Sequence, residues 1–441
     1  MKKALKITGT GDALYVAAMP REYDAELAEL RTYLDTCDVR ITNFESNIEE
    51  FGDYAAAESG GTWINTPPAD FDDFMRYGFH VIGTGNNHAG DFSIHGILST
   101  LDALDKRGLA HMGTGRDLEE AGAPAVLEID GKKIAVIAFT MSFHQAMRAG
   151  SPSEAMRGRP GANCLGVQRA WPVTKEQAEQ LIEIGKASRI NEENQVYIDT
   201  GYALPDPEGL VTFGGLQFCY DGSYPSNYCN KADLARIVRS IKEAKEKYDY
   251  VFVVSHSHTN AGGNFEEVPP ALTEACHACI DAGASAIFGG GTHQLRPLEL
   301  YKGAPIFYSL GDFIYQGMRV HHLPADFMQK YGLPNDATAW DALMKRSHGG
   351  KIGLQAQECN FLSVLPLLSF DENGELAEME MLPLSLGFER EGHLNGLPYY
   401  AKGDEGRKIF EILNRLSAPF GTELVYENDK IIWKKEKEIR T

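Results

Sequence analysis

Three shortages narrow the field before any motif is considered. Positive charge is scarce: 42 lysines and arginines stand against 62 aspartates and glutamates, for a formal net charge of -20. With no basic footprint to neutralise a row of phosphates, the balance argues against general nucleic-acid binding. An anionic substrate would need cations concentrated locally, from a metal or a small Arg/Lys cluster. Long apolar runs are also missing. No segment reaches the roughly 18 consecutive apolar residues of a membrane span. The opening "MKKALKITGTGDALYV" meets Thr and Asp too early for a secretory signal, and is expected to enter the fold directly as a first strand. Cysteine is sparse and odd in number, seven in 441 residues, so a disulfide framework is not expected and a reducing cytoplasm is. "CHAC" at 276–279 has redox spacing, but Leu272, Cys276, Cys279 and Ile280 follow a helical pattern, and core packing is the expected role.

What is present is a globular composition, 43% hydrophobic and 24% charged, with alternating strand and helix signals. Short β-branched or apolar runs lie at 5–11 ("LKITGTG"), 39–45 ("VRITNFE"), 80–87 ("HVIGTGNN"), 250–256 ("YVFVVSH") and 284–290 ("ASAIFGG"). Between them, Ile94, Ile97, Leu98, Leu101 and Leu104, and then Leu234, Ile237, Val238 and Ile241, have helical spacing. This alternation predicts an α/β domain with parallel strands. Hairpins around Asp130-Gly131 and Asn373-Gly374 add antiparallel pairs, so the sheets are mixed. Residues 143–230 are rich in Gly, Pro, Asn and Tyr around one helical stretch near 174–186, and look like an insertion or lid. The end of the chain predicts a helix, a small hairpin and a charged, solvated tail.

The polar residues that end these runs carry the functional argument. They are Asp12; Asn43 and Glu45; Asn86, Asn87 and His88; His256 and His258; and His293. A lone aspartate after glycine more often makes a turn or cap than a ligand, and Asn86, Asn87 and Asp91 could form a loop and cap the helix beginning near Ser93. Five strand ends of this kind in order are harder to explain so. In an open α/β sheet the C-terminal strand ends border the ligand crevice, and oxygen and imidazole donors without cysteine suit hard or borderline divalent metals rather than a structural zinc site.

These stretches, "GD" (11–12), "NFE" (43–45), "NNHAGD" (86–91), "VVSHSH" (253–258), "GGGTHQLRPLELYKGAPIFYSLGDF" (289–313) and "LSAPFGTEL" (416–424), with "GRPGANCLGV" (158–167), resemble the CapA, or poly-γ-glutamate capsule biosynthesis, family. Its fold is similar to that of calcineurin-like metallophosphatases. The resemblance implies a four-layer α/β/β/α sandwich over 1–385, with 143–230 inserted and 386–441 packed on it as a helix and hairpin. It also implies two divalent ions (Mn, Zn, Fe or Mg), with Asp12 on the first, Glu45 bridging, Asn87 and His256 on the second, and His293 returning to the first. His88 would be the general acid or transition-state stabiliser, with Asp91 capping the helix or orienting it. The family usually has a second histidine just upstream of the one at 293, where this chain has Gly291. His258 is the hypothesised replacement; without it the site would hold one ion or be degenerate.

Arg296 and Asn86 are the candidate substrate contacts, with Arg157 and Arg159 as further cations and Tyr220, Tyr224 and Tyr228 as possible pocket walls. The leading expectation is a metal-dependent hydrolase acting on a phosphoester or γ-glutamyl amide of a small anionic substrate. The alternatives are an accessory of poly-γ-glutamate synthesis and a non-catalytic binder on a degenerate scaffold.

Overall fold

The alternating signals build two large mixed sheets in the computed structural model, which describes residues 5–52 and 54–434. The first sheet has ten strands. Leu5–Leu14, Val39–Phe44, Val81–Gly83 and Ala110–Met112 pair in parallel, and Asp312–Tyr315 joins the far end of the first. Leu362–Phe370, Leu376–Ser385, Lys430–Trp433 and Leu424–Glu427 continue it in antiparallel fashion, with Tyr399–Tyr400 beside Leu376–Ser385. The second sheet orders Leu298–Tyr301, Ala304–Phe307, Ala286–Gly290, Tyr250–His256, Lys132–Thr140 and Ala125–Ile129.

The period of two along each strand explains how these sheets pack. Ile7, Ile41 and Val81 of the first share one buried cluster with Ile134, Val136, Phe252 and Phe288 of the second. Gly9 sits where the sheets approach closely, since a Cβ there would run into the Phe288 ring. The alternate residues Ala135, Ile137, Val251 and Val253 point the other way, onto Ile237, Ile241, Leu272 and Cys276 of helices Lys231–Lys247 and Pro270–Asp281. On the first sheet, Phe44 and Ile82 meet Leu27, Leu30, Phe71, Phe74 and Leu104 from Asp24–Leu34, Pro68–Phe74 and Ser93–Lys106. The architecture is therefore mixed α/β, with sheets sandwiched by helices.

Several local expectations gain a physical reason. Asp130 and Gly131 both have positive φ, 52° and 70°, the conformation a two-residue hairpin turn needs. The strand expected over 80–87 stops at Gly83, because the backbone beyond it turns: the Asn86 N–H donates to Thr84 O and the Asp91 N–H to His88 O. Residues 143–230 are more ordered than their composition suggests. They contain helices Lys175–Ser188, capped reciprocally by Thr174 and Gln177, and Glu192–Asp199, and strands Leu210–Phe213 and Leu216–Cys219. Helix Gly403–Ser417 contributes Ile409, Leu413 and Leu416 to the core between the sheets. Most of the charged tail expected at the C-terminus, 435–441, lies outside the described residues.

All seven cysteines are free. Cys276 and Cys279 are buried in Pro270–Asp281, and burial pushes both thiols up, Cys279 to about 12, so neither is a thiolate nucleophile. Among the described residues no helix is long and apolar enough to cross a membrane.

Candidate metal centre

Parallel pairing sets the ends of neighbouring strands side by side. Asp12 stands opposite Asn43 and Asp312, Asn43 opposite Gly83, and His256 opposite Thr140 and Gly290. A single open sheet would collect the polar residues along one edge, but here they come from two. Asp12, Glu45 and the 84–91 turn belong to the first sheet, and His256, His258 and His293 follow strands of the second. Because the sheets face each other, both edges border one site.

The contacts there are short. Asn43 Nδ2 donates to Asp12 Oδ1 at 2.5 Å and lies 3.2 Å from His256 Nδ1. His256 Nε2 is 2.6 Å from Asn87 Oδ1 and 3.5 Å from Glu45 Oε1, and Asn87 Nδ2 donates to the Gly60 carbonyl at 2.9 Å. The Gly291 N–H donates to Asp12 Oδ2. Burial works to raise the Asp12 pKa, but His256, Asn43 and His293 outweigh it and hold the carboxyl below its usual range.

Glu45 is the exception. It is 0% exposed, and no hydrogen bond reaches either carboxylate oxygen. Burial, and then the charges of Asp12, Asp312 and Asp91, push its pKa well above the usual carboxylate range. It belongs to two groups, Glu45–His256–His258 and Glu45–His293–Asp312, and in each the potential ligand atoms lie within 4.8 Å of one another. Two buried clusters suited to divalent metal coordination thus meet at one orphaned carboxylate.

Asp312 is absent from the ligand set that the sequence suggests. Its carboxylate lies 3.0 Å from His293 Nδ1; burial opposes charge on the imidazole, but Asp312 and Asp12 together raise its pKa above the usual value. A signal is present: the Gly-Asp pair of 11–12 and 90–91 recurs at 311–312, and all three aspartates are buried.

His258 and Gly291 explain each other. Gly291 has φ 114°, and a Cβ there would come within 2.5 Å of the Ser257 carbonyl, so no histidine fits at 291. The backbone that crowds it leads directly to His258, whose ring centroid is 5.1 Å from that of His256 and 5.2 Å from that of His293. His258 Nε2 is buried without a hydrogen-bond partner. Burial, reinforced by His256 and His293, drives its pKa well below the usual value, which keeps the ring neutral.

The other expected residues divide into two sets. His88 Nδ1 lies 2.6 Å from Asp91 Oδ2 and its Nε2 3.8 Å from Glu45 Oε1. Asp91 also accepts the Gly60 and Ile64 N–H groups, and no side chain caps the helix at Ser93. The carboxylate therefore orients His88 instead of capping. Asn86 is spent on structure: its Nδ2 donates to Phe44 O and Asn43 Oδ1, and its Oδ1 accepts the His88 N–H. Arg296 is fully buried, donating to the Phe265 and Thr259 carbonyls, and its guanidinium pKa is lowered by burial to about 10. Arg157 is exposed, Arg159 donates to Arg148 O, and Tyr224 packs on Tyr228 at 5.0 Å. A cleft of about 310 Å³ opens beside His88 and His293, with walls from 60–64 and 346–355 and none from 143–230 among its lining residues.

Comparison with known proteins places this arrangement. Residues 6–317 match the family described as bacterial capsule synthesis protein PGA_cap. The chain is 31% identical over 433 residues to the uncharacterized protein y4uA of Sinorhizobium fredii, covering 96% of this chain and 91% of that one. It is 25% identical over 240 residues to the PGA biosynthesis protein CapA of Bacillus subtilis, covering 54% of this chain and 43% of that one. The crystal structure of a hypothetical protein from Thermus thermophilus aligns over 86% of this chain and 99% of its own, at 14% identity and a TM-score of 0.40, too distant a likeness to bear on the site. By the extent of the family match and of the Sinorhizobium relative, the chain belongs to the bacterial capsule synthesis protein (PGA_cap) family.

Proposed function

We propose that this protein is a metal-dependent hydrolase acting on a phosphoester or γ-glutamyl amide bond of a small anionic substrate. The observation that carries this reading is Glu45, a buried carboxylate with no hydrogen bond, shared by two groups of ligand-competent side chains. Taking a carboxylate out of water without a partner is costly, and a cation on each side would remove the penalty. In this reading Asp12, Asp312 and His293 would hold one ion and Asn87, His256 and His258 the other, with Glu45 common to both sets. The fold is then the four-layer α/β/β/α sandwich of the calcineurin-like metallophosphatases.

Bound divalent ions would supply Lewis-acid activation of water and neutralise charge on the reacting oxygens. The protein supplies the rest. Asp91 holds Nδ1 of His88, which keeps the imidazole oriented with Nε2 toward Glu45. Nε2 is then placed to donate a proton to the leaving group as it departs into the cleft that His88 lines. His258, neutral and without a partner, needs no deprotonation to act as a ligand.

The name of the Bacillus relative supports a second reading, an accessory role in poly-γ-glutamate synthesis, compatible with hydrolysis of that polymer's bonds. Elemental analysis of the purified chain, beside phosphoester and γ-glutamyl substrate screens, tests the hydrolase. We expect near two ions per chain. His88→Ala should keep them while losing about 10²- to 10⁴-fold in turnover. No metal uptake, or no hydrolysis by the metal-loaded wild type, would leave only a binding role on this scaffold, and full activity in His88→Ala would remove His88 from the catalytic step.

A further inference from the structure

We infer that the cleft beside His88 and His293 contains a second anion subsite, in which Arg346 grips a carboxylate or phosphate group on the part of the substrate that is not attacked. This rests on the hydrolase reading for the word substrate, but the subsite itself stands on separate observations. The first is charge. The whole chain carries a formal -20, yet no Asp or Glu lines this cleft, and its charged or titratable lining groups are His88, His293, Tyr315 and Arg346. The second is the state of the guanidinium. Arg148, Arg390 and Arg415 each meet a carboxylate, whereas among the described residues Arg346 makes no ion pair. Its Nη1 donates to Thr62 Oγ1 and the Gly61 carbonyl, and no hydrogen bond engages Nε or Nη2.

The third observation is preorganisation. Arg346 ends helix Ala339–Arg346, and its Cζ lies 5.7 Å from the centroid of the Phe327 ring. Held by Phe327 on its face and Thr62 on one nitrogen, the planar fork is set in place before a ligand arrives, which reduces the entropy lost on binding. The fourth is proximity to the metal centre. Tyr315 lines the same cleft and packs on His293 with centroids 5.9 Å apart. A substrate held at the metal centre would present a second oxyanion to Arg346 within this one cleft. Such a molecule is a dianion with its charges separated, which a γ-glutamyl compound with a free carboxylate and a phosphoester with a second acidic group both satisfy.

The test is calorimetric titration of the metal-free full chain with two probes, glutarate and inorganic phosphate. It compares the wild type with Arg346→Met and with Gln355→Glu, which introduces an acid into the same cleft without removing the arginine. Both variants should weaken the preferred probe by about tenfold to a hundredfold, the loss expected for a charge-assisted pair. Preference for glutarate would assign the subsite to a carboxylate, and preference for phosphate to a phosphate. If Arg346→Met fails to fold, Gln355→Glu alone decides. Equal binding by the wild type and the folded variants, or no binding of either probe by the wild type, overturns the subsite. Metal uptake and hydrolysis, measured on the same chains after divalent metal is supplied, separate the two readings. A chain that binds the probe through Arg346 but takes up no metal loses the hydrolase and keeps the anion site. One that hydrolyses substrate and is indifferent to both variants does the reverse.

Discussion

The two halves of the metal centre meet at Glu45 and are built from different chemistry. On one side are His256 and His258, with the Asn87 amide oxygen on His256; on the other are His293 and Asp312, already paired with each other. The first half is mainly imidazole nitrogen, and His258 Nε2 there has no hydrogen bond. The second adds a carboxylate, and its imidazole is oriented in advance. Carboxylate donors favour harder cations and imidazole the borderline ones, so in the proposed reading the acid common to both clusters would serve two sites of unequal preference. The halves also reached their donors differently. Asp312 comes from a strand paired in register with Asp12, whereas His258 comes from the segment whose backbone Gly291 admits.

Removing what the halves share should have the largest effect. Glu45→Gln is expected to lose both ions, seen as metal content near zero, together with hydrolysis. It should also make the metal-free protein more stable at neutral pH, by about 2 kcal/mol, because the cost of burying a carboxyl that must either ionise without a hydrogen bond or hold its proton above its ordinary pKa is gone. The sign follows from the raised pKa. A group that holds its proton more tightly when folded contributes its full stability below the unfolded value of about 4.5 and loses it as pH climbs through the folded value. The metal-free wild type should therefore lose stability from this group between pH 5 and neutrality, as read by thermal melting at about pH 5 and 7. Glu45→Gln should flatten that slope, and an unchanged slope would mean that Glu45 is not the group responsible.

Restoring the family's usual histidine should hurt rather than help. Gly291→His forces a side chain into the Ser257 backbone at positive φ, and a loss of about 2 to 4 kcal/mol in denaturant unfolding is expected. Stability equal to wild type would show that His258 is not replacing an excluded neighbour. The smallest change, and the one that most directly separates the halves, is to compare His258→Ala with Asp312→Asn. Each should fall from two ions to one. His258→Ala should retain the ion better matched by Mg or Mn, and Asp312→Asn the one better matched by Zn. If either variant loses both ions or neither, the division at Glu45 is wrong.

Much of this site is legible in the chain because its donors sit where hydrophobic runs stop, and such punctuation is local. Asp12, Glu45, Asn87, His256 and His293 stand out in that way, and they converge. Asp312 escapes such a reading because it opens the strand Asp312–Tyr315 instead of ending one. Arg346 escapes it because a helix-ending arginine looks like any solvated cation until the chain folds and leaves it without an acid partner. Arg296 misleads for the opposite reason. Its position near His293 in sequence implies access to the site, but its guanidinium lies inside, on the Phe265 and Thr259 carbonyls.

By itself the sequence determined the class of fold, the main strands and helices near the site, the buried role of Cys276 and Cys279, and the kinds of donor atom available. These follow from periodicity, turn chemistry and composition, which act over a few residues. Only the tertiary structure decided that the donors come from two sheets, that Glu45 is left without a hydrogen bond between two clusters, that Gly291 excludes a side chain, and that Arg346 lines the cleft without an ion pair among the described residues. Those outcomes depend on strand register and on how closely one sheet packs on another, which join residues as far apart as Asp12 and Asp312 and which no local pattern encodes.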